Sequence, residues 1–382
     1  MNRFVKFLVL LAILMVAFFI FQWIRGFFAD DVAARFADEE PFSIRFSVQT
    51  EEDAKLLSIS RLMLYPAEKK AVFYFLNTAS HFPDEEDNIA NLSAFSADRF
   101  RQWVGSGADY NLYFTEKNMG RFIDFLGGMQ IFLPQPVVIK DSRYQYPHGI
   151  QFLSGQQAME FSHGAIPLER GSDHLAQLDR LFRTESVILN LLWQLPARQE
   201  FLESDGVIPF LYGLADTDLT TEEFGSLLLY FASEEDLDVF VLETPLQFEE
   251  DPKNPYEKRL AVNEERCEEH YNKFLQEMRT GALDTASFPM DVQNGTERGG
   301  LAGRVKQFLH GSGTEVLYAD NYERKPLPES VVLERSGSFS VARRIAYKTG
   351  RSRDRVFFLR QPLDISGTFI LGEDFQIKDL KY

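Results

Sequence analysis

Apolar positions follow two rhythms along this chain, and one unbroken apolar run precedes both. Residues 7–21 contain no polar side chain. With Phe4, Val5 and a snorkelling Lys6, the run reaches the ~20 residues that cross ~30 Å of hydrocarbon. Arg3, Lys6 and the amino terminus lie before it, Trp23 stands at an interfacial position, and Asp30 and Asp31 follow. This pattern predicts a transmembrane helix within a 1–28 anchor, with the N-terminus inside and everything after Arg25 outside. A cleaved signal peptide is the competing reading, and it too exports the body of the chain. Residues 29–52, polar and acidic, are expected to form a stalk.

Beyond the stalk the pattern becomes strand-like. Residues 56–64 and 71–76 are two apolar runs split by Tyr65-Pro66-Ala67-Glu68, which predicts a buried hairpin. Residues 112–114 and 129–133 read as further strands, and 117–126 as a helix stopped by Gly127-Gly128. Residues 156–161 begin a second helix, and 175–195 carry a long amphipathic one ending before Pro196. Residues 197–285 read as largely helical and acidic, with Thr220 and Glu223 spaced as a capping box and a charged helix over 262–278. After a linker at 281–289, strands at 315–318, 331–334, 356–359 and 368–371 alternate with helices at 301–309 and 341–347. That rhythm predicts two β-α-β passes in a small separate domain. The expected division is therefore 1–28 anchor, 29–52 stalk, 53–285 main α/β domain and 286–382 small C-terminal α/β domain.

Composition narrows the function classes. The 40 Lys+Arg against 57 Asp+Glu give a net charge of -17, which argues against nucleic acid as a partner. Cys267 is the single cysteine, so neither an internal disulfide nor a cysteine zinc cluster is available. The 36 Phe residues suit either a large core or a site lined for a greasy ligand.

Several motifs in order resemble the LytR-CpsA-Psr family. Asn111-Leu-Tyr-Phe-Thr and then Phe122-Ile-Asp-Phe-Leu-Gly-Gly-Met-Gln-Ile are similar to the stretch ending in that family's VD-x-LGGV turn. Gly149-Ile-Gln-Phe-Leu-Ser-Gly-Gln-Gln-Ala-Met-Glu-Phe resembles its G-x-x-x-L-x-G-x-x-A-L-x-Y, and Gln177-Leu-Asp-Arg-Leu-Phe-Arg-Thr its D-x-x-R-x-x-R-Q. Asp216-Thr-Asp-Leu-Thr fits a later helix start. Val292-Gln-Asn-Gly-Thr, Gly300-Leu-Ala-Gly-Arg and Leu371-Gly-Glu-Asp-Phe resemble the marks of the LytR C-terminal domain. The resemblance implies an α/β/α domain with a central mixed sheet, anchored in a bacterial cytoplasmic membrane and facing outward. It also implies transfer of a glycopolymer from a polyprenyl-pyrophosphate carrier to peptidoglycan or another envelope acceptor. Such transfer uses Mg²⁺, an arginine cradle and a long apolar slot. Guanidinium or Mg²⁺ must meet the phosphate charge, and a carboxylate must hold the metal or take the acceptor's proton.

The sequence departs from the family at those positions. The family's first-strand Asp falls at about Leu57. Its S-I-P-R-D-T falls on Phe75-Leu-Asn77-Thr78-Ala79-Ser80, losing the Arg and the Asp together. Its arginine pair falls on Phe161-Ser162-His163-Gly164-Ala165, while Gln177 and Thr184 replace an Asp and a Gln. Arg180 and Arg183 survive three apart on one helical face and are the expected phosphate contacts, with His163 beside them. The alternatives are an exposed helix on which Asp179 and Glu185 partner the arginines, and a structural histidine. His81, Asp84, Glu85, Glu86 and Asp87 form either a substitute metal site or a solvated acidic loop.

The resulting expectation is an envelope protein that handles a polyprenyl-linked glycopolymer precursor with weak or no catalysis and no assigned catalytic or metal-binding residue. Mg²⁺ enters only if it is catalytic. An active phosphotransferase and a non-catalytic scaffold for envelope proteins are the alternatives.

Overall fold

The computed structural model describes Met15 and residues 30–83, 85, 87–91, 107–167, 173–251, 254–285, 287–361 and 364–381. The expected anchor over 1–28 therefore lies outside the described residues apart from Met15. Among the described residues, no helix is long and apolar enough to cross a membrane.

A six-stranded mixed sheet forms the centre of the larger domain, in the order β7 (Asp216–Thr217), β4 (Tyr110–Thr115), β1 (Phe42–Gln49), β2 (Leu56–Tyr65), β3 (Lys70–Leu76) and β8 (Asp238–Glu243), while β5 (Met129–Leu133) and β6 (Gly149–Leu153) form a separate antiparallel pair. The predicted hairpin is there as β2 (Leu56–Tyr65) against β3 (Lys70–Leu76), and β8 (Asp238–Glu243) runs parallel to β3. The expected stalk is not a stalk. Residues 29–52 hold α1 (Asp31–Ala37) and β1 (Phe42–Gln49), and β1 lies between β2 and β4 (Tyr110–Thr115). The sequence Phe42-Ser-Ile-Arg-Phe-Ser-Val alternates with period two, so half its residues are polar although the strand is central. Phe42, Ile44, Phe46 and Val48 face the core. The 197–285 stretch is also less helical than its acidity suggests. It contains β7 (Asp216–Thr217), β8 and the antiparallel pair β9 (Leu246–Asp251) and β10 (Asn254–Val262).

Alternation along β2 and β3 divides the core between the two sheet faces. Leu62, Leu64, Phe73 and Phe75 pack under α2 (Glu116–Phe125), α4 (Asp173–Gln194) and α7 (Thr221–Ser233), the last opened by the Thr220–Glu223 capping box. Met63, Val72, Tyr74 and Leu76 pack instead with Cys267, Phe274 and Met278 of α8 (Glu264–Arg279). Helices thus cover both faces of a mixed sheet. Beside α2 lies α3 (Gly155–His163), and the two helices meet backbone to backbone. A Cβ on Gly155 would lie 1.8 Å from the Gly120 carbonyl oxygen.

The C-terminal sheet has five strands in the order β12 (Val316–Asn321), β11 (Met290–Asn294), β15 (Gly367–Leu371), β13 (Val331–Glu334) and β14 (Val356–Phe358). Two right-order passes build it: β11 (Met290–Asn294), α9 (Leu301–Gly311) and β12 (Val316–Asn321), then β13 (Val331–Glu334), α10 (Phe339–Thr349) and β14 (Val356–Phe358). Strand β15 (Gly367–Leu371) joins them. In the Asn294-Gly295-Thr296 turn, Gly295 keeps a negative or extended φ, so close packing and not a left-handed backbone calls for glycine there. The Asn294 side chain accepts from the Thr296 amide, and a Cβ on Gly295 would come within 2.7 Å of the Leu371 oxygen.

The two domains share one continuous core. Trp193 at the end of α4 meets Phe339 edge-on with centroids 4.9 Å apart and Phe358 at 5.4 Å. The Val241 amide on β8 donates to the Gly337 oxygen at 3.0 Å. Helix α4, expected to be amphipathic with one wet face, is buried at every position from 181 to 191, because the C-terminal domain covers its second face.

Candidate functional site

The positions where the family's chemistry was expected, far apart in sequence, do converge. Leu57 and Ser58 at the start of β2, Leu76 to Ala79 leaving β3, and Arg180, Leu181 and Thr184 on α4 line one small pocket. Local hydrogen bonds fix its floor. The Ala79 amide donates to the Asn77 side-chain oxygen at 3.0 Å, and Thr78 Oγ1 donates to the Leu57 oxygen at 3.3 Å. The pocket volume is 10 Å³, about one water molecule. A pyrophosphate does not fit in the closed pocket.

The three predicted contact residues lie together where α3 crosses α4, in three different states. Arg183 is buried and fully engaged. Its Nε pairs with Asp179 at 2.8 Å, Nη1 donates to the Phe161 oxygen, and Nη2 donates to the Gly164 oxygen at 2.7 Å. Those carbonyls belong to the last turn of α3, so Arg183 satisfies a helix C-terminus. Thr184 donates to the Arg180 oxygen at 3.0 Å and to the Ser162 oxygen at 3.4 Å. Arg180 is half-buried, lines the pocket, and has an Nε with no partner among the described residues. His163 Nδ1 meets Ser162 Oγ at 3.0 Å, while its Nε2 is buried without a partner. Burial, then the Arg180 and Arg183 charges, push the imidazole down to about 3, which leaves it neutral at physiological pH.

The pocket does not suit Mg²⁺. That ion takes oxygen ligands, carboxylates foremost, and the lining supplies hydroxyl and amide oxygens but no carboxylate, while presenting a guanidinium. No cluster of three or more metal-ligating side chains occurs among the described residues. In the acidic loop, His81 is buried and its Nε2 lies 3.3 Å from Glu249, whereas Asp84 and Glu86 fall outside the described residues. Asp124 accepts from the Gly155 amide at 2.7 Å and so ties α2 to the start of α3.

One turn further along the pocket-facing side of α4, an apolar cavity begins. Ile188, Leu191, Leu192 and Leu195 line it opposite Phe46, Phe73 and Phe114 of the sheet, and its volume is 80 Å³. Thr184 and Ile188 are one turn apart, about 6 Å along the axis.

Sequence reasoning missed a buried charge cluster behind this site. Arg360, from the C-terminal domain, pairs with Glu185 at 2.9 Å and with Glu243 at the end of β8. Glu185 is pushed up to about 8 by burial and by Glu243, against the pull of Arg360. Burial raises Glu334 to about 7, although Ser336 and Gly337 hydrogen-bond to it. The exposed-helix alternative, with Glu185 as a partner of the neighbouring arginines, fails for this residue, which is fully buried. Its actual partner lies 175 residues away.

Comparisons with known proteins find a family match for the C-terminal domain and a likeness of fold for the larger part of the chain. Residues 287–375 match the family described as LytR cell envelope-related transcriptional attenuator. No curated protein matches the chain. Among solved structures, the chain is similar to protein gbs0355 from Streptococcus agalactiae, at 14% identity and TM-score 0.51, over 64% of this chain and 90% of that one. TagT bound to LIIa-WTA aligns at 13% identity and TM-score 0.48, over 62% and 90% of the two chains. TagV of B. subtilis aligns at 15% identity and TM-score 0.45, over 63% and 97%. At these identities the likeness is one of fold.

Proposed function

We propose that this chain, a LytR-CpsA-Psr-like protein ending in a LytR C-terminal domain, binds a polyprenyl-phosphate-linked envelope precursor without transferring it. It does so from the outer face of the membrane that holds residues 1–28. The observation that carries the reading is the order of features on α4. Arg180, with an unpartnered Nε, lines the polar pocket, and the apolar cavity opens one turn beyond Thr184. A charged head followed by an apolar tail is the shape of a lipid phosphate. The 80 Å³ cavity is about half the volume that admits benzene in an engineered protein core, so binding requires α4 to part from the sheet. Transfer chemistry is disfavoured because no carboxylate lines the pocket to take the acceptor's proton.

The test is lipid extraction and mass spectrometry on the full-length protein purified from membranes, beside Arg180→Ala. A polyprenyl phosphate enriched several-fold in the wild type supports the reading. An empty wild-type protein that stays empty after incubation with a synthetic carrier lipid ends it and favours the scaffold alternative. Mg²⁺-dependent phosphate release, lost in Arg180→Ala, would instead establish an active phosphotransferase.

A further inference from the structure

Helix α4 is tied to the C-terminal domain. Ser186 Oγ accepts from the Arg360 amide at 2.9 Å, and Trp193 packs on Phe358. The Arg360 side chain also links the helix to the β8 end of the central sheet. Its Nε donates to Glu185 of α4 at 2.9 Å, its Nη2 pairs with Glu243, the last residue of β8, and its Nη1 donates to the Arg335 oxygen. Glu185 Oε1 is buried with no hydrogen-bond partner among the described residues, whereas the Glu243 side chain is 33% exposed. A third carboxylate, Glu334 at the end of β13, acts on Arg360 from within the C-terminal domain and on the neighbouring Arg335, which Asp291 also faces. The Ser336 and Gly337 amides donate to Glu334. From α8, His270 feels the Glu243 charge, but burial, then Arg266 and Lys273, lower its pKa against the pull of Glu243 and Glu277.

One guanidinium cannot neutralise two carboxylates. With Glu185 protonated, the Arg360 charge belongs to Glu243 and ties α4 and the C-terminal domain to β8. An ionised Glu185 competes for that charge and repels Glu243, in a buried setting where repulsion is little screened. We propose that Glu185, Arg360 and Glu243 form a proton-controlled clamp, which holds α4 against the sheet when protonated and lets the helix part from it when the proton is lost. Parting brings water to Glu185 and takes Glu243 away while Arg360 stays beside the helix. The Glu185 pKa then falls from about 8 towards the ordinary carboxylate range, so opening releases a proton. Rising pH therefore favours the open helix, by up to about tenfold per pH unit until the closed form has itself ionised. That the opened helix admits a lipid tail rests on the function proposed above, whereas the clamp does not.

The experiment is hydrogen exchange on the full-length protein in detergent, without lipid, from pH 6 to pH 8 and corrected for the intrinsic pH dependence of exchange. Amides 181–191 of α4 should lose about tenfold or more of their protection across this range. Those of β11 in the C-terminal core should stay about tenfold better protected than α4 at pH 8. Glu185→Gln, neutral at every pH, should keep α4 protected and remove the dependence. Glu243→Gln leaves Arg360 wholly to Glu185 and should shrink it. Protection of α4 that is flat with pH in the wild type, a dependence unchanged in either variant, or α4 amides as well protected as β11 at pH 8 overturns the clamp. Synthetic polyprenyl phosphate, added afterwards, separates the two readings. Binding that tightens from pH 6 to pH 8 more in the wild type than in Glu185→Gln supports both. A pH-dependent α4 in a protein that binds no lipid supports the clamp and ends the lipid reading.

Discussion

The side chain of Asn190 makes both backbone hydrogen bonds of Phe358. Its oxygen accepts from the Phe358 amide at 3.0 Å, and its nitrogen donates to the Phe358 carbonyl at 2.7 Å. Asn190 is fully buried in the middle of α4 and completes β14 as a neighbouring strand would. Asn190→Ala leaves a buried donor and a buried acceptor unpaired, and should cost about 2–4 kcal/mol. Chemical denaturation measures the loss. A shift below about 0.5 kcal/mol would mean that water reaches this seam.

The buried Glu185 makes stability fall with rising pH. Its folded pKa of about 8 exceeds the ordinary carboxylate value, so the folded protein binds more protons than the unfolded chain between those limits. Its contribution is complete below about pH 4 and is lost as pH rises towards 8. Glu185→Gln should flatten this slope, and the difference in thermal stability between pH 5.5 and 8.5 should shrink relative to wild type. An unchanged slope would show that Arg360 keeps Glu185 ionised throughout.

His163 should remain neutral well below pH 6.5. Because its folded pKa is depressed, the contribution of neutral His163 to stability is present above about 6.5 and is lost as pH falls towards 3. Its ring resonances, assigned by comparison with His163→Gln, should not move between pH 7.5 and 5. A midpoint near 6.5 would restore His163 as a cationic phosphate contact.

Arg180 and Arg183 should separate function from stability. Arg183→Ala strands Asp179 and two carbonyls of the α3 end, and should destabilise the protein by about 2–4 kcal/mol. Arg180→Ala should stay within about 0.5 kcal/mol of wild type while removing bound lipid phosphate. Equal stability losses in both variants would make Arg180 a structural residue as well.

Much of this could be read from the sequence, and the failures share a cause. The hairpin, the long helix and both C-terminal passes followed from apolar periodicity, which survives wherever one face meets a core. Strand β1 was lost because its second face is Ser, Arg and Ser, and because Asp38, Glu39 and Glu40 precede it. Leu57, Thr78, Ala79, Arg180 and Thr184, singled out by motif order, line one pocket, although no local pattern in the sequence brings them together. Which arginine is engaged was not legible. Arg180 and Arg183 occupy equivalent helical positions, and only the crossing of α3 decides that Arg183 caps carbonyls. The Arg360 and Asn190 contacts had no local signal, since each joins residues about 170 positions apart.

The bond from Val241 to Gly337 bears on how this protein can be divided. Strand β8 is the last in its sheet, and its outer side also bridges at Phe240 to Ser338. Removing the chain after residue 286 would bare that rim of amide and carbonyl groups, a template for pairing with other molecules. The small domain is thus a lid on self-association for the larger one. A fragment ending at the domain boundary should yield polymers, and the two units are best regarded as one folding whole.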